Sequence, residues 1–160
     1  MDYQLAEINI ARMLDEIDSP IMHEFAANLE RINALAEQSP GFVWRLKGDG
    51  NDATSLRVYK DRYLIVNMSV WESVESLREF TYYTAHTEYF RRRREWFEKL
   101  PVPAVVLWWL PVGHIPTTNE AKAKLEYLDQ HGATPSAFTF KERFTVEEWQ
   151  AHNAAEKVEE

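Results

Sequence analysis

The sequence predicts an α+β fold, a ferredoxin-like sandwich of split βαβ units built on one antiparallel sheet. Three observations carry this reading. Apolar patterns follow one another in the order strand, helix, strand, strand, helix, strand. The spacing of the apolar residues switches between a strand-like period of two and a helix-like period of 3.6 along the chain. Trp, Val and Leu are abundant on both faces of the strands, so both faces are expected to be covered.

The first strand is "YQLAEINIAR", Tyr3 to Arg12, in which Gln4, Ala6, Ile8 and Ile10 alternate with Leu5, Glu7, Asn9 and Ala11. Asp18, Ser19 and Pro20 then give a helix-start signature, and Ile21, Phe25, Leu29, Ile32 and Leu35 recur at helical spacing until Pro40 and Gly41 stop the helix. A second strand, "FVWRLK", leads into the Gly and Asp cluster "GDGND", an exposed turn. The strongest strand is "RYLIVNMSVW". Leu64, Val66, Met68 and Val70 share a purely apolar face, and Tyr63, Ile65, Asn67, Ser69 and Trp71 share the other. Ser73 is placed to cap the next helix, with Glu75 near its positive end and Val74, Leu77 and Phe80 as its inward stripe.

The helical pattern runs on through "AHTEYFRRRREWFEKL", with a candidate break near Thr84 and with Tyr83, His86, Phe90, Arg93 and Phe97 on one seam. Pro101 and Pro103 end it, and the unbroken apolar run "AVVLWWLPV" reads as a buried central strand. Thr117 and Glu120 have capping-box spacing ahead of a third helix, "AKAKLEYLDQHG", which Gly132 closes. "SAFTFKERF" reads as a short aromatic strand or an extended arm, and residues 146–160 as a polar end, a frayed helix. The expected organisation is one domain over residues 1–144 and a tail over 145–160.

With 160 residues, 45% of them hydrophobic, the chain is long enough for one packed core and too short for two ordinary domains. A formal charge of -8 and a pI near 5.2 argue against nucleic acid or an anionic membrane surface as partner, because either needs a concentrated field of the opposite sign. Small neutral ligands and proteins remain. The chain has no cysteine, hence no disulfide framework and no thiolate metal site. "MDYQLAEINIARML" carries acids where a signal peptide carries bases, and the longest apolar run, Val102 to Val112, is far too short for a membrane span. The expectation is a soluble cytoplasmic protein. A split βαβ sheet has its helices on one side, and a homodimer that stacks two sheets is the simplest cover for the other.

"VNMSVWESVESLREF", "AHTEYFRRRREWF" and "LWWLPVGHIPT" resemble a bacterial family of domains of unknown function in the dimeric α/β-barrel, or antibiotic-biosynthesis-monooxygenase-like, superfamily. The resemblance runs from about Leu5 to Phe144 and implies a sheet-to-sheet dimer forming a dimeric α/β barrel, with a pocket in each subunit between sheet and helices. Cofactor-independent monooxygenases of that superfamily, which oxidise polyketide phenols to quinones, use an Asn and a Trp four apart on this strand. Asn67 and Trp71 match them in type and spacing, and the resemblance implies that their N–H groups hold a substrate oxygen as it becomes an anion. The tyrosine of those enzymes falls at Leu77, with Tyr82 and Tyr83 as stand-ins. Haem-degrading members use an Asn on the first strand, a helix Trp and a helix His. Asn9 and His86 correspond to the first and last, whereas the Trp position reads Phe80 and His86 lies about one turn early. A looser likeness to spheroidene-type carotenoid monooxygenases, in "VWESVESLREF" and Trp96, adds weight to an apolar substrate or a haem.

The catalytic candidates are therefore Asn67, Trp71 and His86. A short amide in mid-strand is unfavourable unless it is hydrogen-bonded, exposed or used, which singles out Asn67. Trp71 suits packing at the sheet end as well as donation. His86 has an ordinary pKa suited to acid–base work. Asn9, Phe80, Tyr83, Arg93 and Trp108 are the candidate ligand-binding residues. In the Arg91–Arg94 run, Glu88 with Arg92, Arg91 with Glu95 and Arg94 with Glu98 are at i,i+4 spacing, a solvated face. Arg93 is left on the His86 seam to meet a buried carboxylate or an acidic ligand. Trp108 and Trp109 point to opposite sheet faces, so one at most lines the pocket. His114 sits on a Pro and Gly turn, and His23, His131 and His152 have no partners at metal-ligand spacing. No metal is expected and no cofactor is favoured, with haem as the alternative. Two functions follow: a monooxygenase-like oxidoreductase acting on a small apolar or phenolic molecule, or a non-catalytic dimeric module binding haem, a hydrophobic ligand or a protein partner.

Overall fold

The first strand, β1 (Tyr3–Met13), lies in the middle of one antiparallel sheet. The computed structural model describes residues 3–48, 58–84 and 86–159. On one side β1 pairs with β3 (Leu64–Trp71), which in turn pairs with β2 (Phe42–Arg45) at the edge. On the other side it pairs with β5 (Val105–Pro111) and, at its far end, with the two-residue β4 (Phe97–Glu98). With β5 as the last full strand, the order β2-β3-β1-β5 and the helices α1 (His23–Gln38) and α2 (Val74–Tyr83) after the first and third strands make the predicted ferredoxin-like arrangement. Most of "GDGND" lies outside the described residues.

Two helix boundaries differ from expectation. Ser19 and Pro20 make a turn, with Met22 N–H donating to the Ser19 carbonyl at 3.2 Å, and α1 begins only at His23, which leaves Ile21 52% exposed. After β3, α2 ends at Tyr83 and Thr84 is extended, at the place of the candidate break, but α3 (His86–Arg91) stops well short of Leu100 and passes through a single 3-10 turn into β4. The chain is pulled out of helix there by tertiary partners. Leu14 N–H donates to the Trp96 carbonyl at 2.8 Å, and Arg92 binds Glu24 of α1 as well as Glu95. The three expected i,i+4 pairs are not formed among the described residues. Ser73 does cap α2, and Ser76 returns the bond to complete a capping box.

The second face of the sheet is covered within the chain. The helix α4 (Thr118–His131) of the same chain lies on it, with Ala121, Leu125 and Leu128 packed against Ala6, Ile8, Val66, Met68, Val106 and Trp108. Ile8, Met68 and Val106 are 0% exposed in a single chain, so this face needs no second copy to cover it. Beyond α4, Phe138 forms a two-bond bridge with Leu107 on the outer edge of β5, and α5 (Val146–Glu159) is tied to β1 through Trp149 and Gln150 on Tyr3. No helix among the described residues is long and apolar enough to cross a membrane.

Candidate functional site

On the other face, towards α1 and α2, the sheet carries two apolar clusters with a polar band between them. Leu5, Trp71 and Leu107 join Val74, Leu77 and Phe80 of α2 and Ala36 of α1 in one cluster. Met13 and Ile65 join Met22 and Trp96 in the other. Strand pairing puts Glu7 opposite Ser69 and Asn9 opposite Asn67 between them, because residues two apart on a strand share a face. Along β3 on this face Ile65 and Ser69 are buried and Asn67 between them is exposed. The helix layer is thus open above Asn67.

Glu7 is the centre of the band and is 5% exposed. Its Oε1 accepts a hydrogen bond from Asn9 Nδ2 at 2.6 Å and its Oε2 accepts one from Ser69 Oγ at 3.2 Å. Ser69 Oγ in turn accepts the indole N–H of Trp71 at 2.8 Å. Burial pushes the Glu7 carboxyl up to about 7, against the lowering effect of its two neutral donors. A carboxyl that changes charge near neutrality can both take and give a proton. Next along the same row, across Ser69, the buried Arg45 is bonded to Glu37 of α1 at 2.6 Å.

Several predicted site residues have other roles. Trp71 is 1% exposed, packed between Phe42 and Phe80, and its indole N–H is held by Ser69, so its side chain is no direct donor to a ligand. It shares a face with Asn67 but stands four residues, roughly 13 Å of strand, away. His86 lies against Phe80 with ring centroids 5.0 Å apart and turns Nδ1 to the Thr81 carbonyl at 3.2 Å, while burial lowers its pKa. It makes no hydrogen bond to Glu7, Asn67 or Trp71 among the described residues. Tyr83 is 63% exposed, under the Arg78 guanidinium. Arg93 folds back on its own turn, over the Phe90 ring and onto the Phe90 carbonyl. Trp108 lies on the α4 face, bonded to Glu120, and it is Trp109 that shares the face of Glu7, its N–H on the Phe144 carbonyl. Phe80, stacked on Trp71, also lines a surface recess of about 230 Å³ with Gly41, Ser76, Glu79 and Thr84.

Asn9 and His86 each have a partner within the chain. The amide of Asn9 is held by Glu7, and Phe80 closes over the imidazole. Of the expected set, Asn9 and Asn67 come together, Trp71 joins them through Ser69, and Glu7 and Ser69 are additions. The signal for Glu7 was present: a carboxylate in mid-strand, two residues from an Asn on the same face.

No curated protein matches the chain. Among solved structures it is similar to the NE2512 protein of unknown function from Nitrosomonas europaea, at 8% identity over 72% of this chain and 94% of that one, TM-score 0.45. It is also similar to PA3566 from Pseudomonas aeruginosa, at 12% identity over 72% and 98% of the two chains, TM-score 0.43. A third is a dabb family protein with a ferredoxin-like fold, mll5499, from Mesorhizobium loti, at 11% identity over 71% and 98%, TM-score 0.41. Residues 4–155, nearly the whole chain, match DUF3291, a domain of unknown function, and the chain belongs to that family.

Proposed function

We propose that the chain binds a small, largely apolar molecule at the opening over Asn67 and moves a proton between that molecule and Glu7. The observation that carries the proposal is the exposed Asn67 between buried Ile65 and Ser69, one register step from a buried carboxyl. A phenol suits the arrangement. The apolar clusters on either side take its ring, Glu7 takes its proton, and the amides of Asn67 and Asn9 hold the oxygen as it becomes an anion. The finer reading is the monooxygenase-like one, within the antibiotic-biosynthesis-monooxygenase-like superfamily. There the phenolate gives an electron to dioxygen, and overall one oxygen atom ends on the ring and the other in water as the phenol becomes a quinone. The proton acceptor is Glu7 in place of His86. No metal or haem has a part in this reading, and every polar group in it comes from one chain, so a homodimer is not required by it.

Oxygen uptake and tryptophan-fluorescence quenching with a panel of naphthols and naphthalenediols test it. Wild type should bind and consume oxygen, Glu7→Gln should bind without consuming it, and Asn67→Leu should weaken binding about tenfold, the worth of one good hydrogen bond. Binding that neither substitution alters would remove the site from this face. The engaged indole of Trp71 favours a second reading, a non-catalytic module. Binding by wild type with no oxygen uptake selects it.

A further inference from the structure

The hydroxyl of Ser69 has one hydrogen and two lone pairs, and the indole of Trp71 can only donate. With the Trp71 N–H on Ser69 Oγ at 2.8 Å, the hydroxyl hydrogen is left for Oε2 of Glu7 at 3.2 Å. Trp71 cannot swing away, because Phe42 and Phe80 stand 5.5 and 5.3 Å from it, ring centre to ring centre. Packing therefore sets the indole, the indole sets the serine hydrogen, and the serine fixes one carboxyl oxygen.

We propose that Trp71 and Ser69 are positioning residues that hold Oε2 of Glu7 and leave Oε1, on the side of Asn9 and the opening, as the oxygen that exchanges a proton with a bound molecule. The proposal rests on the reading of Glu7 as the proton acceptor of the site. A proton on Oε2 would force Ser69 to accept from both sides and strand its own hydrogen. A proton on Oε1 keeps the serine bond and asks only that the amide of Asn9 turn from donating with Nδ2 to accepting with Oδ1. Asn9 is half-buried, at the rim, and has room for a local rearrangement that Ser69, 7% exposed, lacks.

The test is an NMR titration of the full chain with 13C-carboxyl glutamate, in which the Glu7 signal is identified by its loss in Glu7→Gln. Ser69→Ala removes a donor to the ionised form and should raise the Glu7 midpoint by roughly one unit. Ser69→Thr should restore it, and Trp71→Phe should shift it the same way by less. In wild type the indole N–H resonance of Trp71 should move with the Glu7 midpoint, a readout that needs no variant to fold. A Trp71 signal indifferent to that titration, or equal midpoints in wild type and Ser69→Ala, overturns the relay. No ligand is involved, so these failures are distinct from failure of the naphthol experiment, which bears on Glu7 as acceptor.

Discussion

Glu7 is a carboxyl on the central strand whose hydrogen-bond partners, Asn9 and Ser69, are both neutral. Its ordinary value of 4.5 applies in the unfolded chain, and burial raises it to about 7 in the folded one. Between those values the folded chain holds the extra proton. Its contribution is thus fully present below about 4.5 and is lost as pH rises through about 7, an effect of about 3 kcal/mol. His86, whose pKa is lowered by burial, acts in the opposite direction, its contribution being lost as pH falls below the ordinary value of 6.5. Comparison with Glu7→Gln separates the two. In urea denaturation at pH 5 and pH 8, wild type should lose about 3 kcal/mol more than Glu7→Gln over that interval. Equal losses would place Glu7 in contact with water. At this scale the sequence showed which side chains share a strand face, because that follows from a period of two. It did not show that Glu7 is buried, since that depends on which strand is central and where the helices close over it.

At the scale of elements, the junction of α1, β2 and α2 turns on Gly41. Its φ is +84°, and a Cβ built there would lie 2.5 Å from the Cβ of Ser76, the residue that completes the α2 capping box. Gly113 has a similar φ of +92° with nothing within 4 Å of its Cβ position. Alanine at Gly113 should therefore cost only the left-handed strain, roughly 1–2 kcal/mol. Alanine at Gly41 should add loss of the cap, roughly 1 kcal/mol more. Urea denaturation of the two variants measures the difference, and equal costs would refute the contact. The start of α2 was legible because Ser73 and the apolar stripe of Val74, Leu77 and Phe80 are local signals. Its end near Thr84 was a candidate only, because His86 and Phe90 continue in helical phase; there Thr84 Oγ1 donates to the Phe80 carbonyl and accepts the His86 N–H. The later stop, past Arg91, was not legible, because it is held by distant groups, Glu24 on α1 and Leu14 after β1.

At the scale of the molecule, α4 decides which face of the sheet is covered within the chain. Its stripe of Ala121, Leu125 and Leu128 was readable as an amphipathic helix, but a stripe does not say which face it covers, and the sheet offered two. Placed on the side away from α1 and α2, α4 removes the apolar surface from which a stacked-sheet homodimer was argued. Lys124 fastens it to the Ser136 carbonyl at 3.0 Å, Lys122 to the Val58 carbonyl at 3.3 Å, and Glu120 accepts the Trp108 indole at 2.9 Å. Light scattering at micromolar concentration should accordingly give the mass of one chain, 18.8 kDa. Leu125→Asp sets a carboxylate against Ile8, Met68 and their neighbours, so α4 should lift, the dye-binding apolar surface should grow, and the scattered mass should rise as sheets associate. A wild-type mass of two chains, unchanged by Leu125→Asp, would place a dimer on some surface other than this sheet face. A wild-type dimer broken by Leu125→Asp would mean that α4 itself lies at the contact between copies.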